Sequence, residues 1–138
     1  MPCDHLSLQV PNTKLEEVTQ FLLASLSHLG FKEFMRPVPH VVGLGETMPY
    51  LWIAGVECDQ LDTATFETLN KHAHIAFAAE NAEQVRQFHE AGLKAGGTCN
   101  GPPGLRTHYH PNYYCAFVKD PACGINWEIV THHGGDGK

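Results

Sequence analysis

Three side chains carry the chemistry that this sequence offers most clearly: His5, His74 and Glu128. His5 opens His5-Leu-Ser-Leu-Gln-Val10, His74 opens His74-Ile-Ala-Phe-Ala-Ala79, and Glu128 sits within Ile125-Asn-Trp-Glu-Ile-Val130. Two neutral nitrogen donors and one anionic oxygen form a metal centre that keeps positions open for substrate or water. That donor set belongs to catalytic zinc and to non-haem Fe(II). The chain holds ten histidines against nine Lys plus Arg, and imidazole is the commonest neutral metal ligand and titrates near neutrality. The count alone is weak, because histidines also decorate surfaces.

Alternation supplies the positioning. In each of the three segments one apolar row alternates with a second row, the mark of a half-buried strand. Leu6, Leu8 and Val10 face one way and His5 the other. Ile75 and Phe77 oppose His74, and Ile125, Trp127 and Ile129 oppose Asn126, Glu128 and Val130. With the apolar rows turned to helices, the parity rule sends His5, His74 and Glu128 to the concave side.

The elements that hold these strands repeat. After the first strand, Pro11-Asn12 breaks the chain and Thr13 stands at capping-box spacing from Glu16. Leu15, Val18, Leu22, Leu26 and Leu29 make a helical stripe that Gly30 stops. After the second strand, Asn81 and Gln84 are placed to cap a helix with Val85, Phe88 and Leu93 in its buried stripe, closed by Gly96-Gly97. Further strands are expected at 31–36, 40–44 and 50–54, then at 97–100, 113–119 and 125–130, the last two joined by the turn Asp120-Pro-Ala-Cys-Gly124. The fold class is therefore α+β: two tandem βαβββ modules, about 3–58 and 72–133, forming a curved mixed sheet with helices outside and a metal-binding cavity inside. Residues 1–138 read as one domain ending in a short polar tail.

Composition narrows the partners. Hydrophobic residues make up 43% and charged residues 17%, and the formal net charge is −6, so a packed core is expected while a basic footprint for nucleic acid or anionic membrane is not. No apolar stretch approaches a membrane span, and Met1-Pro-Cys-Asp-His5 lacks the pattern of a secretory signal. Five cysteines, Cys3, Cys58, Cys99, Cys115 and Cys123, show no CxxC spacing. A reducing, cytoplasmic location is the expectation.

Residues 100–114 have no long periodicity and read as a loop over the cavity mouth. His108, Tyr109 and His110 are its candidate catalytic proton carriers, and Arg106 could meet either an anionic substrate or the protein's own surplus carboxylates. Tyr113 shares parity with Cys115 and Phe117, Tyr114 with Ala116 and Val118, and the pattern leaves open which row faces the cavity. His28, His40, His89, His132 and His133 read as incidental, the last two in the tail. Cys115 and Cys123 have no base at informative spacing, so cysteine nucleophilic catalysis is not expected.

The chain resembles the vicinal oxygen chelate superfamily, which includes glyoxalase I, bleomycin- and fosfomycin-resistance proteins and extradiol dioxygenases. The resemblance rests on Asp4-His5-Leu-Ser-Leu, His72-Ala-His74-Ile-Ala-Phe, and above all the stretch from Tyr113 through Asp120-Pro-Ala-Cys-Gly124 to Glu128-Ile-Val. It implies a divalent metal (Zn, Fe, Ni or Mn) on His5, His74 and Glu128, with His72 in support. It also implies a small-molecule substrate held near Trp52, Arg106 and Tyr113, and a cavity completed either within one chain or across a homodimer. The family's fourth ligand position matches Trp52, so the glutamate of glyoxalase I is missing there. The resemblance favours a metal-dependent glyoxalase-like lyase or isomerase working through an enolate or alkoxide. An Fe(II) extradiol-type dioxygenase and a non-catalytic small-molecule binding or resistance protein are the alternatives.

Overall fold

The structure is a computed structural model in which residues 3–57 and 62–136 are described; Cys58, at the edge of the first expected module, lies outside them. The first module runs β1 (Leu6–Pro11), α1 (Leu15–Leu26), β2 (Lys32–Val38), β3 (Val41–Gly45) and β4 (Leu51–Val56). A connecting helix, α2 (Thr63–His72), leads to β5 (His74–Ala78), α3 (Ala82–Lys94), β6 (Thr98–Leu105), β7 (Tyr114–Lys119) and β8 (Asn126–Thr131). Both βαβββ units are present as expected.

The strands form two four-stranded sheets rather than one. Their orders are β1-β4-β3-β2 and β5-β8-β7-β6, the same arrangement twice. In each, the first strand runs parallel to the last and the others are antiparallel. The registers match as well. Ser7 pairs with Trp52 on β1/β4 as Ala76 pairs with Glu128 on β5/β8, so Trp52 does stand where Glu128 stands in the second module.

One core serves both modules. Leu15, Val18, Leu22 and Leu26 of α1 are buried with Val10, Leu51 and Ile53, and Val85 and Phe88 of α3 with Trp127, Ile125 and Ile129. Phe31 of the first module meets Phe77 of the second edge to face, 5.6 Å between ring centres. His28, expected to be incidental, ties the helices by its Nε2 to the Gln84 carbonyl at 3.0 Å. Leaving the opposite sheet faces to solvent follows directly: Ser7, Gln9, His74, Ala76 and Ala78 are exposed.

Several local expectations are corrected. Thr13 does not cap α1: residues Asn12–Lys14 form a single 3-10 turn, and no side chain caps the helix. Leu93 is exposed, and Gly92 takes the buried position instead, packed against Val118. Gly30, at φ 83°, does end the first helical run. The Asn81 side chain accepts the Gln84 N–H at 2.9 Å, while the Gln84 side chain reaches back to the Glu80 N–H at 2.8 Å. Residues 100–105 are strand rather than loop, extending β6 alongside β7 with register shifts near Gly101 and Gly104.

Candidate functional site

The face of the second sheet turned away from the core gathers the side chains that can do chemistry. β8 is its second strand, flanked by β5 and β7, so Glu128 is buried to 3% exposure even on the open side. Its Oε2 lies 2.8 Å from Nε2 of His74, and its Oε1 accepts the Tyr113 hydroxyl at 2.6 Å. The Tyr113 row is thus the one that faces inward, together with Cys115 and Phe117. Phe117 stacks on His74 at 5.9 Å, and the Arg106 guanidinium lies over the Phe117 ring, 5.7 Å from its centre.

Protons decide what this arrangement means. His74 Nδ1 lies 2.9 Å from the Asn126 carbonyl, which can only accept, so Nδ1 carries hydrogen. A neutral imidazole then presents a bare lone pair at Nε2, and it points at a carboxylate oxygen. Two acceptors do not sit 2.8 Å apart unless a second proton or a cation shares them. A histidine whose Nδ1–H is fixed by a carbonyl and whose Nε2 meets a buried carboxylate is the donor arrangement of a metal ligand with its outer partner. His74 and Glu128 thus offer one imidazole nitrogen and one carboxylate to a cation, two of the three protein donors of a catalytic centre.

The third expected donor is elsewhere. His5 precedes β1 of the first sheet, is exposed, and its Nδ1 engages Asp4 Oδ1 at 2.6 Å. Among the described residues no group of three or more His, Cys, Asp or Glu is gathered to hold a metal ion. Trp52 also belongs to the first sheet, its ring so close over Gly43 that a Cβ there would come within 2.7 Å of it. His72 ends α2 instead of starting β5, and its Nδ1 engages the Thr68 carbonyl at 2.8 Å. Glu46 and Glu57, the acids beside β4, are engaged by Tyr50 and Asn12.

A ring cluster rims the site. Residues 106–113 form a tight connection between β6 and β7, closed by the Arg106 N–H to the Tyr113 carbonyl at 2.8 Å. Tyr109 contacts both His108 and Tyr113, at 4.2 and 4.8 Å between ring centres. His110 stands edge-on to Tyr113, and its Nε2 lies 2.8 Å from Nδ1 of His132. His132, expected to be an incidental tail residue, also contacts Tyr113 at 5.4 Å. The signal was present: positions 126, 128, 130 and 132 share one parity.

Electrostatics set the roles. Burial, then the Glu128 charge, raises the Tyr113 hydroxyl well above its ordinary value, so it donates to Glu128 and does not abstract protons. Burial followed by Glu128 pushes the Cys115 thiol up to about 11.

Solved structures share this layout over most of their length. A putative glyoxalase from Bacillus halodurans matches with TM-score 0.69 and 26% identity, over 94% of this chain and 95% of that one. The chain has the vicinal oxygen chelate fold. A glyoxalase/bleomycin resistance protein from Albidiferax ferrireducens gives TM-score 0.65 and 24% identity, over 91% and 95% of the two chains. The fosfomycin resistance protein FosX of Listeria monocytogenes, solved with Mn(II) and a dihydroxypropylphosphonic acid, gives 0.61 and 19% over 96% and 88%. No protein-family model and no curated protein sequence matches the chain. No helix among the described residues is long and apolar enough to cross a membrane.

Proposed function

We propose that the chain is a divalent-metal-dependent lyase or isomerase acting on a small oxygen-chelating substrate, with His74 and Glu128 as ligands. The observation that carries this reading is the facing of His74 Nε2 and Glu128 Oε2 at 2.8 Å while Nδ1 is committed to Asn126. When bound, the cation supplies Lewis acidity that stabilises an enolate or alkoxide. Tyr113 holds Glu128 in place as a permanent donor, and Phe117 fixes the His74 ring plane by stacking. Arg106 offers positive charge beside the site, its guanidinium steadied by the Pro102 carbonyl at 2.8 Å. His110 and His132 share a hydrogen bond between ring nitrogens, so one neutral ring holds a proton that the pair can pass on, with His108 and Tyr109 beside it. This pair supports a role in proton transfer at the rim.

His5 completes the ligand set from a second copy of the chain. Its exposure and its place on the other sheet support this, as do the exposed apolar side chains Leu6, Leu105 and Tyr109, which a homodimer would cover. Reconstitution with Zn, Ni or Mn, followed by NMR of hemithioacetal and α-hydroxyketone substrates in D2O, tests the function. Solvent deuterium at the carbon beside the carbonyl, absent in His74→Ala, is expected. Oxygen uptake with a catechol would assign ring-opening dioxygenation instead. Mixing His5→Ala with His74→Ala subunits should restore a fraction of activity if the site spans two chains.

A further inference from the structure

A second, separate cavity lies where the two modules join, between the start of α1, the Thr63–Glu67–Asn70 face of α2 and the turn from β7 to β8. Its volume is about 590 Å3, within the range of small-molecule sites. It shares no lining residue with the His74–Glu128 cluster. Lys14, Lys71 and Lys119 all line it, three of the nine Lys and Arg of a chain whose net charge is −6.

These lysines are uncommitted. Among the described residues none of the three forms an ion pair, whereas Arg36 and Arg86 are each held by carboxylates. Two acids share the lining, Glu67 and Asp120. Asp120 is spent: Oδ1 accepts the Ala122 and Cys123 N–H groups, and Oδ2 those of Ile125 and the Trp127 indole, at 2.6 to 3.0 Å. Its charge remains, so three ammonium groups face two carboxylates across the lining, and the balance is one positive charge. Concentrating a third of a chain's cations in one concavity, while the rest of the surface is acidic, focuses the field on that cavity.

The donors also select the anion. No arginine lines the cavity, so its cations act as point charges rather than as planar forks. Ammonium point charges with the hydroxyls of Thr13, Thr63 and Thr98 beside them suit a compact, multiply charged tetrahedral group with several acceptor oxygens. The volume exceeds what a free ion requires. We propose that this cavity binds the phosphoryl group of a small phosphate ester, independently of the metal site.

Calorimetric titration at low ionic strength with glycerol 3-phosphate, and separately with inorganic phosphate, tests this. The ester should bind more tightly than inorganic phosphate, and Lys71→Gln and Lys119→Gln should each weaken it by about tenfold, the effect of losing one charge-assisted hydrogen bond. Lys32→Gln, on the remote strand β2, and His74→Ala should leave it unchanged, which separates this site from the metal site. Amide shifts on titration should centre on Lys14, Thr98 and Gly124. Absence of binding, equal affinity for inorganic phosphate, or equal loss in Lys32→Gln would each overturn the proposal. All three lysines are solvent-accessible, so unchanged melting of the variants without ligand keeps the comparison clean.

Discussion

His74 Nε2 and Glu128 Oε2 face one another at 2.8 Å across the parallel pair β5/β8, although His74 pairs with Asn126 and Glu128 with Ala76. The two-residue offset means the side chains lean along the strands toward each other. With Nδ1 held by Asn126, only a proton or a cation reconciles two acceptors at that separation. A cation in that role predicts that protein purified without an affinity tag carries a divalent metal measurable by elemental analysis. His74→Ala should lower its affinity by roughly 100-fold or more, above the usual effect of losing an outer partner alone. Unchanged metal content in His74→Ala would remove this pair from the metal site.

Tyr113 donates to the other oxygen of Glu128 at 2.6 Å. Removing the hydroxyl leaves a buried carboxylate oxygen without its donor. Tyr113→Phe should cost about 1–3 kcal/mol of stability and weaken metal binding by roughly 10–100-fold, while the ring contacts with His110, Tyr109 and His132 persist. Urea unfolding and competition with a chromophoric chelator measure the two effects. Stability lost with metal affinity intact would make Tyr113 a purely structural partner.

His74 and Glu128 were legible because strand alternation fixes which face a residue takes, and both lie in the same module. His5 obeys the same parity, but parity says nothing about which sheet a strand joins, so the convergence of all three donors within one chain was not legible. Helix α2 escaped because it buries only Phe66 and Asn70 among its described residues, too little for an apolar stripe. Strand β6 was expected only as far as residue 100 because Asn100-Gly-Pro-Pro-Gly104 reads as a breaker. The sheet order puts β6 at an edge, where proline need not donate to a ladder and the bulges absorb the irregularity. His132 was missed by stopping the β8 alternation one step too soon.

The Asp120-Pro-Ala-Cys-Gly124 turn, plain in the sequence, sets the register of the strand that carries Glu128. Asp120 is buried to 3% and its carboxylate takes four donors, three of them backbone N–H groups. Asp120→Ala strands these donors in the core and should destabilise the protein by about 3–5 kcal/mol, the range for breaking a buried charged network. Asp120→Asn keeps the shape and should cost less. Equal losses would show that charge, not geometry, is what the turn requires. Calorimetric melting of both variants decides this.

The thiols give a pH signature. Burial first, then a neighbouring carboxylate, raises Cys115 to about 11 and Cys123 to about 12 from the ordinary 9.0. Both are acids whose folded pKa lies above the unfolded one, so the unfolded chain releases protons first as pH rises. Their contribution to stability is complete below pH about 9 and is lost between there and about 12. Denaturant midpoints should fall across that window, and Cys115→Ala should flatten its lower part. Brief treatment with iodoacetamide at pH 8 should label the exposed Cys3 and Cys99 and spare Cys115, as read by peptide mass spectrometry. Rapid labelling of Cys115 in folded protein would mean that this sheet face opens more deeply than the Glu128–Tyr113 bond allows.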